Sequence, residues 1–250
     1  MEKKYVIAMS ILGLLLAGGM TFSAYILGMQ ARKAVPTKNQ ITVKGLAVKN
    51  VQADSAEWTI TISVTEPTFA QALERLRNVR PVVDAFLLRE GFEKSNLVEG
   101  NENVSPHFET TYLENGAQKQ EQKGFDAHQS ITVVSRDLKR VTQASKNILQ
   151  LQSEGHPITT TLPLYLVSNL EEIKMSLIAE ATANARKRAE EFVRQDGARV
   201  GFMLSASQGA FYILPEGAAA DSYEYGGVYD KSTINKTAKV VVTIVYGIEN

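Results

Sequence analysis

The chain has 250 residues, no cysteine, and 27 basic side chains against 27 acidic ones. Disulfides, thiol nucleophiles and cysteine metal sites are thereby excluded. Residues 36–250 carry a slight acidic excess, which argues against nucleic acid as a partner, since that requires a clustered basic surface.

Residues 5–31 hold no charge and are bracketed by Lys3–Lys4 and Arg32–Lys33. As a helix, Val6 to Leu27 runs about 33 Å at ~1.5 Å per residue, and a bilayer's hydrocarbon core is roughly 30 Å thick. The stretch is therefore expected to be a single transmembrane anchor. A cleavable signal peptide has a shorter apolar core and a small-x-small cleavage site. Cutting after Ala24 or Ala31 places bulky Phe22 or Met29 where a small residue belongs. Arg32, Lys33 and Lys38 rival Lys3 and Lys4 in the positive-inside count. Long domains cross largely regardless of charge, so the expected orientation keeps the short tail inside. Residues 1–35 are thus read as cytoplasmic tail and anchor. Residues 36–250 are read as an α+β domain facing the periplasm or exterior from the inner (plasma) membrane. Gly13 and Ala17, Gly19 and Ser23, and Ala24 and Gly28 lie four apart and would let anchor helices approach closely. Glycine and alanine are also common in membrane helices without any such pairing.

Val35–Asn39 reads as a short polar linker, and strand signals begin at Ile41–Val43. From Glu57 to Thr65, Trp58, Ile60, Ile62 and Val64 alternate with polar residues, the pattern of a half-buried antiparallel strand. Pro67 opens a helix whose apolar face runs from Phe69 to Leu87 and which stops at Gly91; Pro81 is expected to kink or interrupt it near Arg77. Glu114–Gly116 marks a turn between two strands. Phe125 to Val134 alternates again, with Phe125, Ala127, Ile131 and Val133 inward and Asp126, His128, Ser130 and Thr132 outward. A helix is expected from about Asp137 to Gln152, and a strand at Thr161–Val167.

The next helix is opened by Asn169 with Glu172 three residues on, a capping-box arrangement. Ile178, Ala181, Ala185, Ala189 and Phe192 form its stripe, narrow in bulk, which permits close packing. Gly91, Gly155 and Gly197 each suit the left-handed residue that closes a helix. Strand signals resume at Gly201–Ile213, and residues 215–232 form a Gly/Ala/Tyr loop. Ala238–Ile248 is apolar on both faces, as a central or interface strand would be. Strands and helices mix without regular βαβ alternation, so the fold class is α+β, mostly antiparallel sheet packed with about three helices.

Catalytic chemistry is sparse. His107, His128 and His156 show no ligand spacing, and solvated surface roles account for them. No nucleophile elbow, phosphate loop or dinucleotide fingerprint occurs. Glu171–Glu172 suits the positive end of its helix, and Glu190 and Glu191 face Arg186 and Arg194 as surface pairs. No catalytic, cofactor-binding or metal-binding residue is assigned. Tyr223, Tyr225 and Tyr229 with neighbouring glycines make either an adaptable contact surface or a plain surface loop.

Several segments together resemble one family. These are Ile41–Val48 with Ala53–Asp54 before the second strand, Gly124–Val133 followed by Asp137–Leu138, Ala181-x₃-Ala185-x₃-Ala189 running into Gly197-x₃-Gly201, and the closing Val-Val-Val-Thr-Ile strand. Their order and spacing resemble SIMPL-domain proteins, a domain of unknown function that includes 26–28 kDa periplasmic immunogenic proteins. Leu46–Ala47 stands where the family pattern has a second glycine, and Ala53 where it has proline. The resemblance implies an α+β fold, export, and ring-like oligomers in some members, and it carries no catalytic residues. Members have been linked to stress tolerance, an association without a mechanism. The expectation is a non-enzymatic, membrane-anchored envelope protein, without cofactor, that self-assembles or binds an envelope partner. The alternatives are an envelope hydrolase with an acidic cleft, and a ring-like oligomer enclosing a pore-like lumen.

Overall fold

The computed structural model describes residues 13, 15–29, 39–112, 118–218 and 227–249. Residues 15–29 form helix α1, exposed throughout. Among the described residues no helix is long and apolar enough to cross a membrane; residues 1–12, 14 and 30–35 of the expected anchor segment lie outside them. The remaining elements are β1 (Gln40–Gln52), β2 (Ser55–Glu66), α2 (Phe69–Arg89), β3 (Leu97–Glu99), β4 (Asn103–Tyr112), β5 (Gln118–Ser135), α3 (Leu138–Asn147), α4 (Leu149–Ser153), β6 (Ile158–Thr160), β7 (Leu164–Leu166), α5 (Leu170–Arg194), β8 (Arg199–Pro215) and β9 (Asn235–Glu249). The class is α+β with mostly antiparallel sheets. A three-stranded sheet has the order β1–β9–β8, so the doubly apolar β9 is central.

The chain divides into two compact units, one of Lys44–Ala185 and Ser207–Val242, the other of Met1–Val43, Arg186–Ala206 and Thr243–Asn250. The larger unit holds a six-stranded sheet in which β2 pairs along its length with Phe125–Ser135 of β5, and β3, β4, β6 and β7 flank the two. The alternation read from Glu57–Thr65 sorts as expected. Trp58, Ile60 and Ile62 are buried against Leu76, Val83 and Phe86 of α2 and Val141 and Ala144 of α3. The opposite face is a ladder of hydroxyls: Thr59 bonds Thr132 at 2.9 Å and Thr61 bonds Ser130 at 3.2 Å. Such cross-strand pairs hold register at a few tenths of a kcal/mol each.

Four differences from the sequence expectations have physical causes. Helix α2 runs through Pro81 without interruption. Its buried stripe continues on both sides of the proline, and Arg80, one residue earlier, grips Asp84 and Glu99 at 2.8 Å each. Its N-cap is Thr68, which accepts from the Gln71 N–H, so Pro67 lies just outside the helix. The Asp137–Gln152 helix is two helices, α3 and α4, meeting at Ile148. Thr142 and Ser145 donate their hydroxyls to the Leu138 and Thr142 carbonyls before the break, and such back-bonding loosens a helix. Of the expected strand at Thr161–Val167 only Leu164–Leu166, β7, is strand, while β6 ends just before that range at Thr160; both pair with β2. Pro163 lies between them and has no N–H to give a ladder.

On α5, Ala181, Ala185 and Ala189 are buried as expected, but the stripe continues to Leu177, Ile173 and Val193. Phe192 is 66% exposed. The four-residue step from the alanines selects 177 and 193, not 178 and 192. Gly91, Gly155 and Gly197 all adopt positive φ, 84°, 85° and 71°. The smaller unit buries Ala189, Val193, Ile244 and Tyr246, and the Arg186 guanidinium sits 5.8 Å over the Tyr246 ring.

Candidate functional site

An open feature of the larger unit is the hairpin of β4 and β5. Residues Phe125–Ser135 of β5 pair with β2, whereas Gln118–Gly124 pair with β4 alone. The far half of the hairpin is thus a two-stranded arm beyond the sheet. Its side chains are exposed, Phe108 by 54% and Tyr112 by 70%. Isolated two-stranded ribbons are marginal in water, so the root of this arm needs fastening.

The fastening is built from small and aromatic residues. A Cβ at Gly124 would lie 2.5 Å from the Glu66 carbonyl oxygen, so only glycine lets β5 pass there. Beside it Phe125 meets Phe69 edge-on, centroids 6.0 Å apart. Asp126 is the polar clasp: one carboxylate oxygen accepts from the Thr65 hydroxyl at 2.5 Å, the other lies 2.8 Å from His107 Nδ1. The Thr65 hydroxyl, and after it His107, hold the Asp126 carboxyl below its ordinary value. The register shifts between His107 and Phe108. A bulge at that point twists the ribbon and re-aims the side chains beyond it.

The three histidines are spread. His107 belongs to the clasp, His128 is exposed, and His156 lies 3.9 Å from Glu154. The clasp is not a nucleophile relay, because Thr65 bonds the carboxylate and not the imidazole. Among the described residues no group of acidic side chains, histidine or cysteine has metal-site geometry. The expected pairs Arg186–Glu190 and Arg194–Glu191 form, at 2.9 and 2.6 Å. Tyr223 and Tyr225 lie outside the described residues. Tyr229 is a structural pin whose hydroxyl accepts the Val167 N–H at 2.7 Å.

A second polar place surrounds the β1–β2 turn. Asp54 accepts from the Ser168 backbone at 2.9 Å and from the Ser168 hydroxyl, which chiefly lowers its pKa. An open depression of about 640 Å³ joins Asp54 and Ser168 to Asn96, Arg136, Asp137 and Arg140. It brings two carboxylates, Asp54 and Asp137, onto one open surface. Near it, Lys236 is fully buried and donates to the Asp230 carbonyl at 2.7 Å and its carboxylate at 3.1 Å. Burial pushes the Asp230 carboxyl up, yet donors from Ser232, Thr233 and Lys236 outweigh it and leave the group far below the usual range. That cluster closes a loop and leaves no oxygen turned toward a ligand.

Sequence alone does not bring the clasp together: the pairing of β4 with β5 sets His107 opposite Gly124 and diagonal to Asp126, while the turn expected at Glu114–Gly116 lies outside the described residues.

These features describe an α+β domain with a two-stranded arm and an open polar depression. The profile of the SIMPL family, described as a protein of unknown function (DUF541), matches residues 41–246. The chain belongs to that family. No curated protein matches it.

Proposed function

We propose that this is a membrane-anchored, non-enzymatic binding protein whose SIMPL domain faces the periplasm or exterior and joins a partner, first among them a second copy of itself, through the β4–β5 arm. The observation that carries the reading is the arm: two strands paired only with each other, bearing exposed Phe108 and Tyr112, on a fastened root. Rigid aromatics presented at low entropic cost are what contact surfaces are built from. Anchoring is supported by α1, whose Leu15, Leu16, Met20, Phe22 and Leu27 are all exposed, and by the uncharged run that contains it. A helix apolar all round belongs in lipid or in a large core.

The test is native mass measurement and particle imaging of the full-length chain in detergent. The reading expects a discrete oligomer that Phe108→Ser with Tyr112→Ser reduces to smaller species. A monomer at all concentrations that also captures no envelope protein would remove it.

A further inference from the structure

We propose that the Arg199–Ala206 end of β8 rests in the lipid headgroup layer, with Phe202, Met203 and Leu204 as its contacts. The proposal rests on the anchored reading above. It starts from exposure: Phe202 is 84% exposed, Met203 47% and Leu204 54%. Successive strand residues point to opposite faces, so apolar side chains stand bare on both sides of the strand. A flat protein surface would cover one face and leave the other wet. A lipid interface surrounds a strand tip and covers both. At headgroup depth, roughly 5–10 Å into the boundary, apolar side chains leave water while neighbouring polar groups stay hydrated.

The second argument is where the tip lies. The Ile248 N–H donates to the Asn39 carbonyl at 2.9 Å, so the start of the domain pairs with the end of β9. On the other side of β9, a Cβ at Gly247 would lie 3.9 Å from the Phe202 carbonyl oxygen, and one at Gly201 would meet the Glu249 side chain. Asn39 and Phe202 therefore flank the same stretch of one central strand. Strands lie ~4.8 Å apart, which puts the two backbones about 10 Å from each other. Helix α1 extends to residue 29, and the ten steps of chain to Asn39 reach at most about 35 Å. The point where the anchor segment enters the domain is thus beside Phe202, and a short leash holds that edge near the bilayer.

The unit's chemistry agrees. Arg199 precedes the apolar triplet, and Lys187 and Phe192, the latter 66% exposed, lie on the α5 portion of the same unit. Long cationic side chains beside apolar ones suit a lipid interface, their stems in the apolar layer and their heads in water.

The absence of cysteine makes the test direct. Single-cysteine variants Phe202→Cys, Leu204→Cys, Phe22→Cys and Ser153→Cys of the full chain are labelled with a polarity-sensitive dye. Each is then reconstituted in vesicles of mixed zwitterionic and anionic phospholipid. Expected are blue-shifted emission at 202 and 204 that headgroup-nitroxide lipid quenches, quenching at 22 by acyl-chain nitroxides, and no change at 153. Quenching at 22 without quenching at 202 or 204 overturns the docking and leaves the anchor standing. A blue shift at 202 that no nitroxide lipid quenches means a protein copy covers the edge, and also overturns it. No quenching at 22 removes the anchored reading and this proposal with it.

Discussion

Gly45 of β1 lies so close to α5 that a Cβ there would sit 1.9 Å from the Ala181 carbonyl oxygen and 2.8 Å from the Ala185 Cβ. The alanine stripe and the glycine are two halves of one contact. Leu46 fastens it further, its N–H donating to the Asn184 side chain at 3.2 Å. Gly45→Ala must push helix and strand apart, and overpacking of this kind costs about 1–3 kcal/mol or more. Urea unfolding monitored by circular dichroism should show a lowered midpoint, and Ala185→Leu should behave alike. A Gly45→Ala variant as stable as wild type would contradict the packing.

Lys236 and Asp230 stand together or fall apart. Asp230→Ala strands a fully buried ammonium and should cost about 3–5 kcal/mol, whereas the double change with Lys236→Met should recover much of that loss. Thermal melts of the two singles and the double form the cycle that separates pairing from burial.

Acid should weaken the fold. Asp54, Asp126 and Asp230 all have folded-state pKa values below the ordinary one. A lowered carboxylate pKa adds stability that is fully present above the unfolded value, about 3.9 for aspartate, and disappears as pH falls through the folded value. The melting temperature should be nearly flat from neutral pH to about 5 in respect of these groups, and fall below it. Asp230→Asn should flatten the acid limb.

The arm should be separable from the core. Phe108→Ser and Tyr112→Ser touch exposed side chains, so stability should stay within ~0.5 kcal/mol of wild type while assembly or capture declines. His107→Ala removes half of the clasp. Amide exchange in residues 118–124 should then quicken while that of Ile131 and Val133 is unchanged.

Thr68→Ala tests the start of α2. The hydroxyl caps Gln71, and losing such a cap costs about 1 kcal/mol. A chemical-denaturation midpoint is sufficient to read it.

Much of the fold was legible because it is written in periodicity. Trp58, Ile60 and Ile62 on a two-residue step, the three alanines of α5, and the glycines at 91, 155 and 197 each signal through local rules, and each stands where those rules place it. What was hidden depended on partners distant in sequence. Pro81 signals a break, but the packing on both sides of it carries α2 through. Ile148 gives no sign of ending a helix. The difference between Phe192 and Val193 is a rotation of one residue, settled only by what α5 packs against. The clasp of Thr65, His107 and Asp126 joins three strands, and its parts mean nothing separately. No residue of the clasp belongs to a motif, which is why an inventory of motifs passes over it.

The sheet order β1–β9–β8 has a consequence for biogenesis. The elements from β2 to β7 are contiguous in sequence and can associate as soon as that stretch has emerged, whereas β1 waits for β9 some two hundred residues later. A chain that emerges in order must hold β1 and then β8 unpaired until β9 follows. Closing so distant a pairing is slow, which makes this interval the one in which a chaperone has most to protect.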